Sequence, residues 1–298
     1  MLNFKQTELS DKKDIDECLL SNTYRACDFC FTNMYAWHVK FETEFAIKNK
    51  TLFLRFKDVD GLVYYMMPIG AMLLKEAINE IIDDAKQLNI PFLMKGITTR
   101  MQEDIEVVMP EVFEYTHDRN NDEYIYLTEK LAQLSGKKLQ SKRNHINRFK
   151  KDNPNWEYRP ITSHEEAMEC LRMLEKWDGE KNHDEDPSLK YDYMATKCML
   201  QNFEDLELKA GAIYINGKIL AFSIGERLTS DTFVVHVEKA FANINGLYTI
   251  INQQFIEHEA SEFMYINREE DLGLESLRKA KSSYYPDILL HENILRFK

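Results

Sequence analysis

A chain of 298 residues exceeds one small core and suits two domains of ordinary size. Hydrophobic residues at 44%, charged residues at 30% and no apolar run near the roughly 20 residues that span a bilayer argue against an integral membrane protein. A net charge of −12 by itself argues against general nucleic-acid binding, and no DNA partner is expected.

The start, MLNFKQTELSDKKD, has no apolar h-region and is not read as a signal peptide, so a cytoplasmic protein is expected. Ser10 caps a helix carrying Ile15, Leu19 and Leu20. The aromatic stretch 28–37 fits no clean period and reads as a loop and short helix. Strands are expected at 38–48, 51–57 and 62–67, with a turn at Pro68 and Gly70. Residues 71–88 show helical apolar spacing, 91–97 read as a strand and 99–108 as a short helix. The stretches 112–117 and 123–127 read as a strand pair around a polar turn.

Residues 136–151 carry seven Lys/Arg and no acid, against an otherwise acidic chain. Leu139, Ile146 and Phe149 give them a narrow apolar stripe, the pattern of a linker helix with a cationic face.

A second series follows Asn153-Pro154. Residues 156–159 are extended, Ser163 and Glu166 have capping-box spacing, and a helix presents Met168, Leu171, Leu174 and Trp177. After the polar loop 181–189 a helix runs over 190–204. Asn216-Gly217 between 211–215 and 218–228 is the signature of a type I′ hairpin. A strand at 232–240, a helix at 246–259, a strand at 263–267, a polar turn at 268–273, a helix at 274–283 and a strand at 287–296 complete the chain. The order of elements nearly repeats that of the first half. The expected domains are therefore 1–130 and 156–298, joined by a basic linker helix over 131–155.

The five cysteines, Cys18, Cys27, Cys30, Cys170 and Cys198, read as buried thiols. Cys27 and Cys30 form one C-x-x-C with no second pair to complete a zinc site. His183-Asp184-Glu185-Asp186 reads as an acidic loop, and no metal is expected.

Four stretches carry a family resemblance: FTNMYAW (31–37), GKKLQSKRNHINRF (136–149), the hairpin of 209–227, and YINREEDLGLESLRKAKSSYYP (265–286). Together they resemble a bacterial family of uncharacterised proteins related to the C-terminal domain of phosphatidylglycerol lysyltransferase. The resemblance implies an α/β fold of the α+β type. It implies two tandem GNAT-like domains, each a mainly antiparallel mixed sheet flanked by helices. It also implies an acyl or aminoacyl transferase with acyl-CoA or aminoacyl-tRNA as donor. The acceptor would be an amine or hydroxyl on a small molecule or lipid headgroup. A non-catalytic GNAT-like binding protein for a charged small molecule, peptide or tRNA is the alternative.

His236 and Glu238 lie two apart on one strand and share a face, so Glu238 is the candidate to orient or deprotonate an amine, with His236 beside it. Glu226 lies on the neighbouring strand. Asn267, Arg268 and Glu269 follow a strand end, where ligands gather in open α/β sheets. Asn33 and Trp37 match family positions in the first half. Lys138, Lys142, Arg143 and Arg148 are candidates for donor phosphates. Gly246 occupies the place of a phosphate loop, although a single glycine there equally serves a turn.

Overall fold

A computed structural model describes residues 2–180 and 188–298, so the acidic stretch 183–186 lies outside the described residues. The chain divides into two units. The first holds Met1–Glu123, Glu270–Arg278 and Leu289–Lys298; the second holds Tyr124–Glu269 and Lys279–Ile288.

The first unit opens with β1 (Lys5–Gln6), α1 (Lys12–Leu19), α2 (Phe31–Ala36) and α3 (His38–Phe41). It continues with β2 (Glu44–Lys48), β3 (Thr51–Lys57), β4 (Val63–Tyr65), β5 (Ile69–Gly70), α4 (Leu74–Leu88), β6 (Leu93–Thr98), α5 (Thr99–Val108) and β7 (Phe113–His117). Residues 38–41, expected to begin a strand, form the short α3, closed by Glu42 in the left-handed region at φ 48°. Helix α4 buries Ala77, Ile78, Ile81, Ile82 and Ala85, the stripe its spacing foretold. Asp84 also lies on the buried side. Tyr65 Oη donates to it at 2.6 Å and Arg55 Nη1 at 3.0 Å, which compensates its desolvation.

The chain continues with β8 (Glu123–Leu127), α6 (Thr128–Gln133), α7 (Gln140–Asp152), β9 (Trp156–Ile161), α8 (His164–Asp178) and α9 (Ser188–Gln201). Then come β10 (Lys209–Ile215), β11 (Lys218–Arg227), β12 (Thr232–Ala240), α10 (Leu247–Glu259), β13 (Tyr265–Glu270), α11 (Glu275–Ser282), β14 (Ile288–Leu290) and β15 (Glu292–Phe297). The hairpin turn is as expected, with Asn216 at φ 51° and Gly217 at φ 74°. Ser163 caps α8 by accepting from Glu166 N. Helix α10 buries Leu247, Ile250, Ile251 and Phe255 completely, and Phe255 meets Phe233 of β12 edge to face at 5.9 Å. Each such side chain contributes about 1.5–3 kcal/mol of burial free energy. Residues 268–270, expected in a turn, extend β13.

Two mixed sheets flanked by helices result, the expected class. One has the order β1-β2-β3-β4-β6-β15-β7 with β5 beside β3; the other has the order β14-β8-β13-β12-β11-β10-β9. The expected pairing of 112–117 with 123–127 does not occur. Strand β7 pairs with β15, which enters the first sheet between β6 and β7, while β8 lies in the second sheet. Burial explains this placement. Tyr124, Ile125 and Tyr126 are all at most 1% exposed, so β8 is covered on both faces and takes an interior position. Thr116 and His117 are exposed, which suits β7 to an edge.

Candidate functional site

Strand β12 is antiparallel to β11 on one side and parallel to β13 on the other. Two irregularities open it. On the β11 side the register shifts between Ile224 and Gly225, leaving His236 as the extra residue of a bulge. A Cβ on Gly225 would lie 2.3 Å from Val234 O, so only glycine permits this approach. On the β13 side the pairing stops at Val234 and Asn267. Beyond that point the two parallel strands part, and the next residues of interest, Glu238 and Arg268, stand on either side of the gap.

Glu238 accepts from Arg268 Nε at 3.1 Å and from Arg268 Nη2, and it accepts from Asn252 Nδ2 of α10 at 2.6 Å. Burial disfavours the Arg268 cation, yet Glu238 outweighs it and the guanidinium is held charged. Two buried atoms in this cluster lack a hydrogen-bond partner, Arg268 Nη1 and Asn252 Oδ1. Arg268 also lies 4.9 Å from the Tyr284 ring centroid and 5.8 Å from that of Tyr126.

Lys142 of α7 joins this cluster. Its Nζ lies 3.9 Å from the Tyr284 ring centroid. Desolvation first, then the Arg268 charge, lower its pKa to about 8, against the pull of Glu238. The folded pKa lies below the ordinary lysine value of about 10.4. Below pH 8 the ammonium is charged in both folded and unfolded states, and its desolvation cost is fully present. From pH 8 upward the unfolded state holds more protons, so this group's contribution to stability rises with pH. Denaturant titrations should show the wild-type protein gaining on Lys142→Met between pH 8 and 10; parallel curves would exclude the desolvated ammonium.

His236 and Glu238 serve separate clusters. His236 Nδ1 lies 2.8 Å from Glu269 Oε1 and Nε2 lies 3.0 Å from Glu226 Oε1, with the imidazole 1% exposed. Both ring nitrogens can donate together only when the ring is protonated. Glu238 is committed to Arg268 and Asn252, and the expected Glu238–His236 partnership is replaced by these bonds. Val235 and Val237 are buried.

The other expected residues divide between local structural work and exposed surface. Arg143 donates to Leu134 O, to Gly136 O at 2.7 Å and to Gln140 Oε1, closing the turn before α7. Lys138 lies over the Tyr285 ring at 5.2 Å, and Arg148 pairs with Asp152 at 3.4 Å on the surface. Gly246 is the N-cap of α10 at φ 83°, and a Cβ there would lie 2.5 Å from His145 O and 3.0 Å from Phe149 Cβ. Helix α7 thus lies against the turn that precedes α10. A depression of about 450 Å³ remains beside it, lined by His145, residues 242–246, Tyr248 and Thr249. Asn267 is buried and accepts from Glu269 N at 2.7 Å. In the first unit, Asn33 Nδ2 donates to Cys27 O at 3.0 Å, and Trp37 packs on Phe41 with Lys40 over its ring at 5.6 Å. Cys27 and Cys30 are buried, and Cys30 Sγ donates to Cys27 O.

The first unit also gathers carboxylates that the sequence reading did not assemble. Glu123 accepts from Cys27 N at 3.1 Å to each oxygen. A Cβ on Gly96 would lie 3.6 Å from Asp28 Oδ2 and 3.9 Å from Glu292 Oε2. Burial first, then the charges of Glu123, Asp28 and Glu270, push the Glu292 carboxyl well above the usual carboxylate range. Its Oε1 is buried without a hydrogen-bond partner. Lys40 is the nearby cation; burial lowers its pKa and Glu270 pulls it up.

Asn252 and Tyr126 were not read as site residues, while Tyr284 lies in the family-like stretch 265–286. Asn252 had a signal, as a lone amide within the apolar stripe of α10; Tyr126 had none, since an apolar strand explains it.

A solved structure of a conserved protein from Bacteroides thetaiotaomicron matches with 40% identity, 100% of both chains and a TM-score of 0.94. The structure of L-PGS from Bacillus licheniformis matches with 16% identity, 86% of this chain, 84% of that one and a TM-score of 0.62, a likeness of fold. An uncharacterised protein of Mycoplasmoides gallisepticum is 26% identical over 186 residues, which is 61% of this chain; the match spans 58% of that protein's length. The family relationship points to a transferase. The family model for the C-terminal region of phosphatidylglycerol lysyltransferase matches residues 23–292, and the chain belongs to that family.

Proposed function

We propose that the protein transfers an aminoacyl group from aminoacyl-tRNA to an amine or hydroxyl acceptor, a small molecule or a lipid headgroup. The observation that carries this reading is the cationic cluster where β12 and β13 part. Arg268 Nη1 and Lys142 offer N–H groups to an ester carbonyl whose oxygen gains charge during transfer. Glu238 is a positioning residue that holds Arg268, and His236, between two carboxylates, orients the bulge. Water takes the acceptor's proton. Acyl-CoA is the weaker donor, because α7 lies against Gly246 and the gap between the strands already holds the Glu238–Arg268 pair. Taken by themselves, the first unit's carboxylates suit a cationic amine. The exposed Lys137, Lys138, Arg148, Lys150 and Lys151 suit an RNA backbone. Among the described residues no helix is long and apolar enough to cross a membrane.

Non-catalytic binding of the same cationic amine is a second reading, favoured by the full engagement of the Glu238 carboxylate. Purified protein should release labelled amino acid from charged tRNA onto an amine acceptor faster than spontaneous hydrolysis. Arg268→Lys should slow this by about 10²-fold. Stable charged tRNA, combined with a melting shift by lysinamide, would favour binding alone. Neither response would defeat both readings.

A further inference from the structure

The first unit brings His117, Asp122 and His291 together at one corner, and no step of the proposed transfer uses them. His117 ends β7, Asp122 immediately precedes β8, and His291 immediately precedes β15. His117 Nε2 lies 2.8 Å from Asp122 Oδ1, and His291 Nδ1 lies 2.9 Å from Asp122 Oδ2. The two imidazoles stand edge to face with centroids 5.0 Å apart. One ligand atom from each of the three residues can be chosen so that all lie within 4.8 Å of one another.

We propose that this corner binds a divalent transition ion of the zinc class through His117, Asp122 and His291. Two imidazole nitrogens and one carboxylate oxygen match a borderline ion, which prefers mixed N/O ligands at about 2.0–2.2 Å. Donors that each sit about 2 Å from one ion in tetrahedral array are roughly 3.3 Å apart. The two histidine–Asp122 separations, 2.8 and 2.9 Å, lie within about 0.5 Å of that. Asp122 is fully buried while the two imidazoles are about half exposed, so a fourth position opens to water. The carboxylate is itself held, since Glu292 N donates to Oδ1 at 3.3 Å, a hydrogen bond of the kind that orients metal ligands. Arg119 Nε is 3.7 Å from Asp122 Oδ2, but its Nη1 also donates to Asp271 at 3.3 Å, an anchor that it keeps when an ion arrives.

The ion would act as a staple. Strand β15 lies between β6 and β7, and Asp118 N donates to Glu292 O at 3.1 Å beside the site. Closing one ion over positions 117, 122 and 291 ties the C-terminal strand to the sheet that it completes, so binding adds to folding stability.

The test uses the full chain stripped with EDTA. Cobalt(II) should bind at one equivalent with the visible absorption of a four-coordinate N/O site, and zinc should displace it. Zinc at saturating concentration should raise Tm by about 5 °C, reversibly with EDTA. His117→Gln and His291→Gln should each abolish the cobalt spectrum and the shift, while His164→Gln, on the surface of α8, should leave both intact. The proposal fails if the native protein shows no such spectrum, a readout that does not depend on how any variant folds. It fails equally if the spectrum survives in the His117→Gln/His291→Gln variant.

Discussion

Glu238→Gln should lower the unfolding free energy by about 3–5 kcal/mol, because it removes the charge that keeps Arg268 buried. Arg268 is 9% exposed, and its Nε and Nη2 are both spent on Glu238. The glutamine amide can still accept from one of them, yet the guanidinium keeps its charge and loses its counter-ion. Lys142 then worsens the balance, since a second cation faces Arg268 with little to offset it. The double variant Glu238→Gln/Arg268→Met should recover most of the loss, as apolar replacements of buried ion pairs often do. Urea titrations of the single and double variants measure this. A single variant within about 0.5 kcal/mol of wild type would mean that water screens the pair. The same substitution in a transfer assay reports on positioning. Turnover should fall in Glu238→Gln, because Arg268 loses its fixed orientation.

Gly246→Ala should cost about 3 kcal/mol, the second largest effect. Two penalties coincide. The φ of 83° disfavours any L side chain, and the new methyl would press on the backbone carbonyl of His145 at 2.5 Å. A backbone atom cannot step aside as a side chain does, so α7 must shift away from the start of α10. That motion would also move Lys142 off the Tyr284 ring. The melting temperature should therefore fall by about 6–12 °C for a unit of this size. Unchanged stability would show that α7 is free to reposition.

Elements with strong local signals were legible. The Asn216-Gly217 hairpin, the 3.6-residue stripes of α4 and α10, and strand β12 lie within a few residues of expectation, because propensity and periodicity act over short spans. Residues 38–41 were misread for a local reason. A His-Val-Lys-Phe stretch suits either state, and a half-buried, four-residue helix gave no periodicity to read. The candidate site was half legible. Glu238, Arg268 and Lys142 were each named, but as amine contact, ligand contact and phosphate contact in separate places. Only the parting of β12 from β13 after Val234 brings them into one cluster. Arg143 and Gly246 looked functional in sequence because composition cannot tell a cationic or flexible residue that closes a turn from one that meets a ligand.

The order of elements was present in the linear chain, since hydrophobic period is written residue by residue. Strand exchange was not, because β15 and β7 are far apart in sequence and their pairing depends on which sheet still has an open edge. The same holds for the carboxylates around Glu292 and for the His117, Asp122 and His291 corner. Their chemistry arises from proximity, and only folding brings such distant positions within a few ångströms.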